Sequence, residues 1–91
     1  MDDEEYYGLI GFVLVSKNRS KILKAIRNDY KMPSEIAKEL DMSTAQVSFG
    51  LAGLKSKKLV KCLNENVQKG RLYACTPLGL EILNNIIKKT G

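Results

Sequence analysis

Two short amphipathic segments with almost nothing between them constrain the fold of this chain more than any other feature. They lie within MPSEIAKELDMSTAQVSFGL, residues 32–51. The first is predicted to be a helix from about Pro33 to Leu40, because a helix tolerates proline best in its first turn. Asp41 then accepts the left-handed conformation that a sharp turn needs, and Ser43 is a good N-cap for a second helix. The sequence therefore predicts two helices joined by a tight turn.

The second helix of this pair is predicted from about Thr44 to Lys57, and its two faces differ in character. Val47, Leu51 and Leu54 recur at the spacing of one buried helical face. At 100° per residue, a second set of side chains points the opposite way. That outward set consists of Ala45, Phe49, Ala52 and Ser56. An apolar outward face needs an explanation beyond packing within the chain.

The segments before this pair also read as mainly helical. SKNRSKILKAIRN, residues 16–28, has its apolar side chains on one face and lysines towards the other, which predicts an amphipathic helix. The apolar run YYGLIGFVLV, from Tyr6 to Val15, fits a short helix or a buried strand, and its spacing favours the helix. DYKM, residues 29–32, is interpreted as a polar connection.

The segments after the pair predict a β-hairpin and a last helix. Two runs rich in Leu, Val, Tyr and Cys flank the polar stretch NENVQKG, which predicts a two-stranded hairpin with a long tip. Thr76 and Pro77 supply an N-cap and a first turn for a helix from about Pro77 to Lys89. The predicted fold is mainly α with a small β-hairpin, in a single domain spanning residues 1–91. Residues 1–15 form an N-terminal extension and residues 77–89 a C-terminal helix.

The charge of the chain is divided unevenly. The formal net charge is +5, and the four acidic residues Asp2, Asp3, Glu4 and Glu5 account for all the charge in residues 1–15. The remainder therefore carries +5 − (−4) = +9. A small basic body is attracted to nucleic acid or to an anionic membrane surface, although surface lysines also serve solubility alone.

The absence of some residue types excludes several classes of function. The chain has no histidine and two cysteines, too few for a structural zinc site of four Cys or His ligands. Cys62 and Cys75 are expected to be reduced thiols that pack as small hydrophobes. Without a histidine base or an activated cysteine, we expect no enzymatic activity. We also expect no metal and no cofactor.

The apolar run from Tyr6 to Val15 does not predict a membrane segment. It is too short to cross a bilayer as a helix, and acidic residues precede it, unlike a signal peptide. We therefore expect a cytoplasmic protein. The glycines of GLIG and LGLE lack the context of a phosphate-binding loop and are interpreted as packing residues.

The tight-turn pair followed by a basic hairpin tip favours contact with double-stranded DNA. A projecting second helix can enter the major groove, where Phe49 would touch thymine methyl groups and Gln46 would make a bidentate contact to adenine. We therefore predict a preference for sites that contain A·T pairs. The predicted phosphate contacts are Ser43 and Thr44 at the helix start, Ser48 and Lys55 beside its exposed face, and Lys69 and Arg71 at the hairpin tip. Capping or solvation would also account for these polar residues.

The order of the motifs resembles a known family. SKNRSKIL, PSEIAKELDMSTAQVS, LKSKKLVKCL and KGRLYACTPLGLEIL follow one another between about Phe12 and Leu83. Together they resemble the small winged helix-turn-helix transcriptional regulators of the ArsR/MarR type, especially the compact forms common in archaea. The resemblance implies a DNA-binding regulator, usually a homodimer. Its recognition helix would be residues 44–57, and its wing would be residues 64–71.

Three departures from the family pattern affect these expectations. Lys58 stands where the family usually has glycine after the recognition helix, and Phe49 stands where it often has Arg or Lys. The cysteine-bearing motif of the ArsR-type metal sensors is missing, so metal sensing is not expected. The apolar outward face also supports an alternative function, a winged-helix module that binds protein and not DNA. RNA binding, with bases stacked on Phe49 or Tyr73, is a lesser alternative.

Dimerisation is predicted from surplus apolar surface. The run from Tyr6 to Val15 and the broad apolar stripe of the last helix offer more surface than one small body needs to bury. Either they cover each other within one chain, or they pair with a second copy. We favour a homodimer, whose two recognition helices would read DNA half-sites about 34 Å apart.

Overall fold

The computed structural model describes residues 1–90, which form five helices and three short strands. The helix at each end of the chain flanks a compact helix-turn-helix and its wing. In chain order the elements are α1 (Asp3–Leu14), α2 (Lys17–Ile26), β1 (Tyr30–Lys31), α3 (Pro33–Leu40), α4 (Thr44–Ser56), β2 (Val60–Cys62), β3 (Tyr73–Cys75) and α5 (Pro77–Thr90).

The N-terminal extension is a helix, as the apolar spacing predicted, but it begins earlier than the apolar run. Asp2 caps α1 by accepting a hydrogen bond from the Glu5 N–H at 2.8 Å. Acidic side chains in the first turn also favour this end of the helix dipole. The acidic cluster at the start of the chain therefore stabilises α1. None of the helices in residues 1–90 has the length and apolar content that a bilayer span requires.

The predicted tight-turn pair is confirmed as α3 and α4. Glu35 caps the start of α3 by accepting from the Met32 N–H at 2.8 Å. Asp41 adopts the left-handed conformation with φ 54°, and the Met42 N–H then bonds to the Ala37 carbonyl at 2.9 Å. Ser43 caps α4. These local signals act within one turn of each helix end.

The core centres on α2, which contacts the four other helices. Ile22, Leu23 and Ile26 are fully buried, and each contributes about 1.5–3 kcal/mol when removed from water. Gly50 of α4 faces Ile22 so closely that a Cβ would overlap the end of the isoleucine side chain. The close approach of α2 and α4 fixes the position of the second helix of the pair.

The sheet corrects the prediction for DYKM and for a two-stranded wing. Tyr30 and Lys31 form β1, which pairs antiparallel with Ala74 and Tyr73 of β3, so the sheet has three strands in the order β1-β3-β2. A strand of two residues has no periodicity to read. Its pairing also depends on a partner far along the chain, and this is why the sequence suggested only a connection.

The start of α5 is bonded directly to the turn that follows α4. Thr76 is the predicted N-cap of α5, and its hydroxyl accepts from the Gly79 N–H at 3.0 Å and donates to the Lys58 carbonyl at 2.7 Å. The Thr76 N–H bonds to the Leu59 carbonyl at 3.0 Å. Gly79 lies against Leu59, with the Leu59 carbonyl carbon 2.9 Å from an added Cβ. We refer to this bonded contact as the α4–α5 joint.

The two predictions for glycine packing have opposite outcomes. Gly79 of LGLE is buried in the α4–α5 joint, as predicted. For Gly8 and Gly11 of GLIG the prediction was wrong within a single chain, because, outside the helix's own backbone, a Cβ added to either would meet no atom of residues 1–90 within 4 Å. Both lie on an outer surface of α1.

Candidate nucleic-acid interface

The outward face of α4 is confirmed as exposed and apolar. Ala45, Phe49 and Ala52 are all exposed, and Phe49 retains 78% of its accessible surface. The opposite face, with Val47, is buried because it packs into the core. Phe49 is thus free to contact a partner molecule, because it is not used for packing within the described chain.

The start of α4 carries a reciprocal cap that involves Gln46. The Ser43 hydroxyl accepts from the Gln46 N–H at 3.1 Å, and the Gln46 side-chain oxygen accepts from the Ser43 N–H at 3.0 Å. A bidentate contact to adenine uses both the oxygen and the nitrogen of a glutamine amide. Gln46 would therefore have to release its cap to read adenine, at a cost of about 1 kcal/mol for a typical cap.

The wing is the loop from Leu63 to Leu72, and its own side chains hold it in shape. Asn64 spans the base of the loop: its side-chain oxygen accepts from the Leu72 N–H at 2.8 Å, and its nitrogen donates to the Gly70 carbonyl at 3.1 Å. Gly70 has φ 74°, a left-handed conformation that favours glycine. Asn64 was not predicted from the sequence to hold the wing, although an Asn and a Gly at the two ends of a tip are a turn signal.

Arg71 is turned into the wing. Its Nε donates to the Val67 carbonyl at 2.7 Å, and its Nη2 donates to the Glu65 carbonyl at 3.2 Å. The half-buried guanidinium thus braces the loop. It still carries its charge close to the wing surface, but two of its nitrogens are occupied.

Lys55 of α4 is paired with Glu65 of the wing by a salt bridge. The hydrogen bond to Glu65 raises the pKa of Lys55, and the same hydrogen bond to Lys55 lowers the pKa of Glu65. Both side chains are exposed, so solvent screens the pair. Nothing in the sequence pattern linked these two residues, because the pairing depends on how the wing folds back on α4. It neutralises one of the predicted phosphate contacts.

A cleft between the wing and the helices brings three of the predicted site residues together. Ser48 from α4 and Lys69 and Arg71 from the wing line its walls. Ser34 and Gln68, which were not predicted from the sequence, also line it, together with Tyr73, which was predicted only as a stacking platform for RNA bases. The other predicted contacts, Ser43, Thr44, Gln46, Phe49 and Lys55, are outside this cleft on α4 or at its start. The site is thus a helix face and a neighbouring cleft.

The chain matches a family model described as the arsR family of bacterial regulatory proteins. The match covers residues 16–62, just over half of the chain, from the start of α2 to the end of β2. The chain belongs to the arsR family. A search of curated protein sequences returned no match.

Three solved structures illustrate the similarity in fold. ZitR of Lactococcus lactis is 20% identical, with a TM-score of 0.72 over 80% of this chain and 51% of ZitR, so this arsR-family chain spans about half the length of ZitR. TubR bound to 24 bp of tubC, from Bacillus thuringiensis serovar israelensis pBtoxis, is 14% identical, with a TM-score of 0.79 over 93% of this chain and 95% of TubR.

The third structure is the homodimeric winged helix-turn-helix DNA-binding domain of Mb0332 from Mycobacterium bovis. It is 20% identical, with a TM-score of 0.70 over 98% of this chain and 85% of the domain. These similarities confirm the winged helix-turn-helix fold. The arsR family is described as one of regulatory proteins, which agrees with the predicted class of function.

Proposed function

We propose that the chain regulates transcription as a homodimer that inserts α4 into the DNA major groove and places the wing on the phosphate backbone. The observation that carries the proposal is the exposed face of α4 beside the wing cleft. A helix fits the major groove, which is about 12 Å wide. The basic cleft next to it offers charge to the neighbouring backbone.

The residues divide into three roles under this proposal. Lys69, exposed at the wing tip, contacts phosphate directly. Arg71 shapes the wing and contributes long-range charge, because its guanidinium is bonded to the wing carbonyls. Ser43, Thr44 and Ser48 contact phosphates from α4, and Lys55 joins them once it leaves Glu65. Phe49, with Ala45 and Ala52, covers thymine methyl groups, which gives the preference for A·T pairs.

The test is a titration of the full chain into labelled duplex DNA, followed by fluorescence anisotropy across a salt series. We expect log K to fall linearly with log salt, and Lys69→Ala to lower the slope by about 0.9. Lys24→Ala is the matched control. It removes the same charge from the exposed face of α2, opposite the face that packs on α4. Equal slopes for the two variants would refute the role of Lys69. A lack of salt-dependent binding would refute the proposed function.

A second function is favoured by Phe49 alone. If α4 docks on a protein, Phe49 is the anchor of an apolar contact, since exposed aromatic residues are enriched in interfaces. Phe49→Ala then abolishes association with that partner, and neither the parent chain nor the variant binds DNA in a salt-dependent way. If α4 lies in the major groove, the same variant loses its preference for A·T-containing over G·C-only duplexes. Anisotropy on the two duplexes separates the two functions.

The proposed dimer uses the outer side of α1 together with α5. Tyr7, Gly11 and Leu14 recur at i, i+4 and i+7 on α1, and Tyr7 and Leu14 are exposed. The glycine allows a second helix to approach closely. Analytical ultracentrifugation is expected to give twice the 10.2 kDa mass of one chain, and Tyr7→Asp/Leu14→Asp is expected to give the monomer mass. A monomer at micromolar concentration in the parent chain would refute the dimer.

We further propose that this regulator acts in the cytoplasm without catalysis, metal or cofactor. Within residues 1–90, no three His, Cys, Asp or Glu side chains cluster as metal ligands would. The kinship with MarR-type and compact archaeal regulators stays a prediction from the sequence motifs. Metal content measured by plasma mass spectrometry on purified protein, expected to be far below one ion per chain, tests the metal part.

A further inference from the structure

A second groove, which shares no lining residue with the wing cleft, has features that DNA binding does not explain. It lies between α1, the turn after α4 and the start of α5. Its floor consists of Leu9, Phe12 and Leu78, which are partly buried and pack against the core. One wall is left open at Gly8, where an added Cβ would meet no atom of residues 1–90 within 4 Å outside the backbone of its own helix.

The size of the groove suits a small organic molecule. It encloses about 590 Å³, within the range of roughly 300–1,000 Å³ that is usual for small-molecule sites. An apolar floor with a few polar groups at the edge is also the usual composition of such sites. Both features favour a ligand with an apolar body.

The rim of the groove is basic. Lys57 and Lys58 line the groove together with Met1 and Glu5, so the charged side chains of the rim sum to one net positive charge. Among the described residues, neither lysine has an ion-pair partner. The Lys57 Nζ lies 5.5 Å from the centroid of the Phe12 ring, so it bridges the floor and the rim. An anionic group beside Phe12 would complement this arrangement.

The backbone of Lys58 gives independent support. Lys58 has φ 61°, a left-handed conformation that glycine adopts without strain and lysine does not. The conformation is held in place, since the Lys58 N–H bonds to the Lys55 carbonyl at 2.9 Å and its carbonyl accepts from Thr76. Backbone strain that persists at a cleft is a sign of function when the side chain of the strained residue can contact a ligand in that cleft. Lys58 meets this condition, because its ammonium group lies at the rim of the groove.

We propose that this groove binds a small organic carboxylate with an aliphatic or aromatic body. The carboxylate lies between the ammonium groups of Lys57 and Lys58, and the apolar body covers Leu9, Phe12 and Leu78. The site adjoins the C-terminal end of α4. It does not rest on the proposed contact with DNA, and each can fail without the other.

The first experiment titrates octanoate into the ¹⁵N-labelled full chain and follows amide chemical shifts. Saturable shifts are expected at Gly8, Lys57 and Lys58, with little change in the wing. Inorganic phosphate lacks the apolar body and octanol lacks the charge, so each is expected to bind at least about tenfold more weakly than octanoate. Shifts that do not saturate at millimolar octanoate, or equal affinity for phosphate, would overturn the proposal.

The second experiment uses two variants that should keep the fold. Lys58→Gly retains the left-handed backbone without strain and removes the ammonium, and it is expected to weaken octanoate binding about fivefold to tenfold. Gly8→Leu places a side chain in the open wall of the groove on a helix that favours leucine over glycine, and it is expected to abolish binding.

The matched control is Arg27→Gly. Arg27 also has a positive φ, 45°, and it is outside the groove lining, so the change removes one cation and one strained residue elsewhere. Its octanoate affinity is expected to equal that of the parent chain. If Lys58→Gly and Gly8→Leu bind octanoate as the parent chain does, the groove is not the site.

Discussion

Under the proposed function, Glu65 reduces the positive charge that α4 and the wing offer to DNA. Its carboxylate holds the Lys55 ammonium, and neither group can contact phosphate favourably while the pair is formed. Glu65→Gln removes the carboxylate and leaves an amide of nearly the same shape. Asn64 and Arg71 keep their hydrogen bonds to the wing backbone, so the loop is expected to hold its conformation. The freed Lys55 then faces the DNA backbone.

The expected gain follows from counterion release. One additional phosphate contact steepens the dependence of log K on log salt by about 0.9, which amounts to about eightfold in affinity at 0.1 M salt relative to 1 M. Loss of the Glu65 charge also removes a repulsion with phosphate at short range. Because the pair is exposed and screened, we expect little change in folding stability.

The assay is the salt series of anisotropy titrations with one duplex and four proteins. Glu65→Gln is expected to bind more tightly and with a steeper slope, and Glu65→Gln/Lys55→Ala to return to the parental slope. Glu81→Gln removes one negative charge from the exposed surface of α5 and controls for net charge. If Glu81→Gln gains as much affinity as Glu65→Gln, or if the double variant keeps the steeper slope, the argument for a masked Lys55 is refuted.

Three further predictions concern stability, each measured by denaturant unfolding. Lys58→Gly is expected to stabilise the fold by about 0.5–1 kcal/mol. It relieves a left-handed strain of about 1–2 kcal/mol, and the greater chain entropy of glycine in the unfolded state offsets part of that gain. No gain in stability would mean that Lys58 is unstrained. Gly79→Ala is expected to lower the free energy of unfolding by more than about 2 kcal/mol, because the added Cβ overlaps the Leu59 backbone. Gly8→Ala is expected to raise it by about 0.5–1 kcal/mol through helix propensity. Similar effects of the two substitutions would contradict the close contact at the α4–α5 joint. Burial raises the pKa of Cys75 from 9.0 to about 11. The folded state therefore holds the thiol proton more tightly than the unfolded chain does, so this contribution to folding stability is complete below about pH 9 and is lost from about pH 9 to 11. Cys75→Ala is expected to remove that part of the decline.

The helix-turn-helix could be read from the sequence because its signals are local. The Pro33, Asp41 and Ser43 signals each act within one turn, and the structure uses all three as predicted. β1 could not be read, because a two-residue strand acquires its identity from partners more than 40 residues later in the chain. Elements whose signals lie within a few residues were therefore predicted, and the element that depends on a distant partner was missed.

The candidate site was predictable in position but not in detail. The exposed face of α4 follows from helical periodicity, so Phe49 is where it was expected. Whether a basic side chain of the site is free or already bonded depends on how the wing folds, and no sequence periodicity encodes that. Arg71 is bonded to two wing carbonyls, and Lys55 is paired with a carboxylate ten residues away. Gln46 is both a cap and a candidate reader of bases, and only the first role follows from local rules.

The α4–α5 joint has a mechanical consequence for a dimer assembled through α1 and α5. Because Thr76 bonds to the Lys58 and Leu59 carbonyls and Gly79 packs against Leu59, each α4 helix of the proposed dimer is a lever whose pivot is this joint. Thirteen residues of α4 make an arm of about 20 Å. A rotation of about 10° at the pivot moves the tip of that arm by about 3.5 Å, close to the rise of one base pair. A small change in angle at this one joint is therefore enough to move the two helices out of register with half-sites one DNA turn apart.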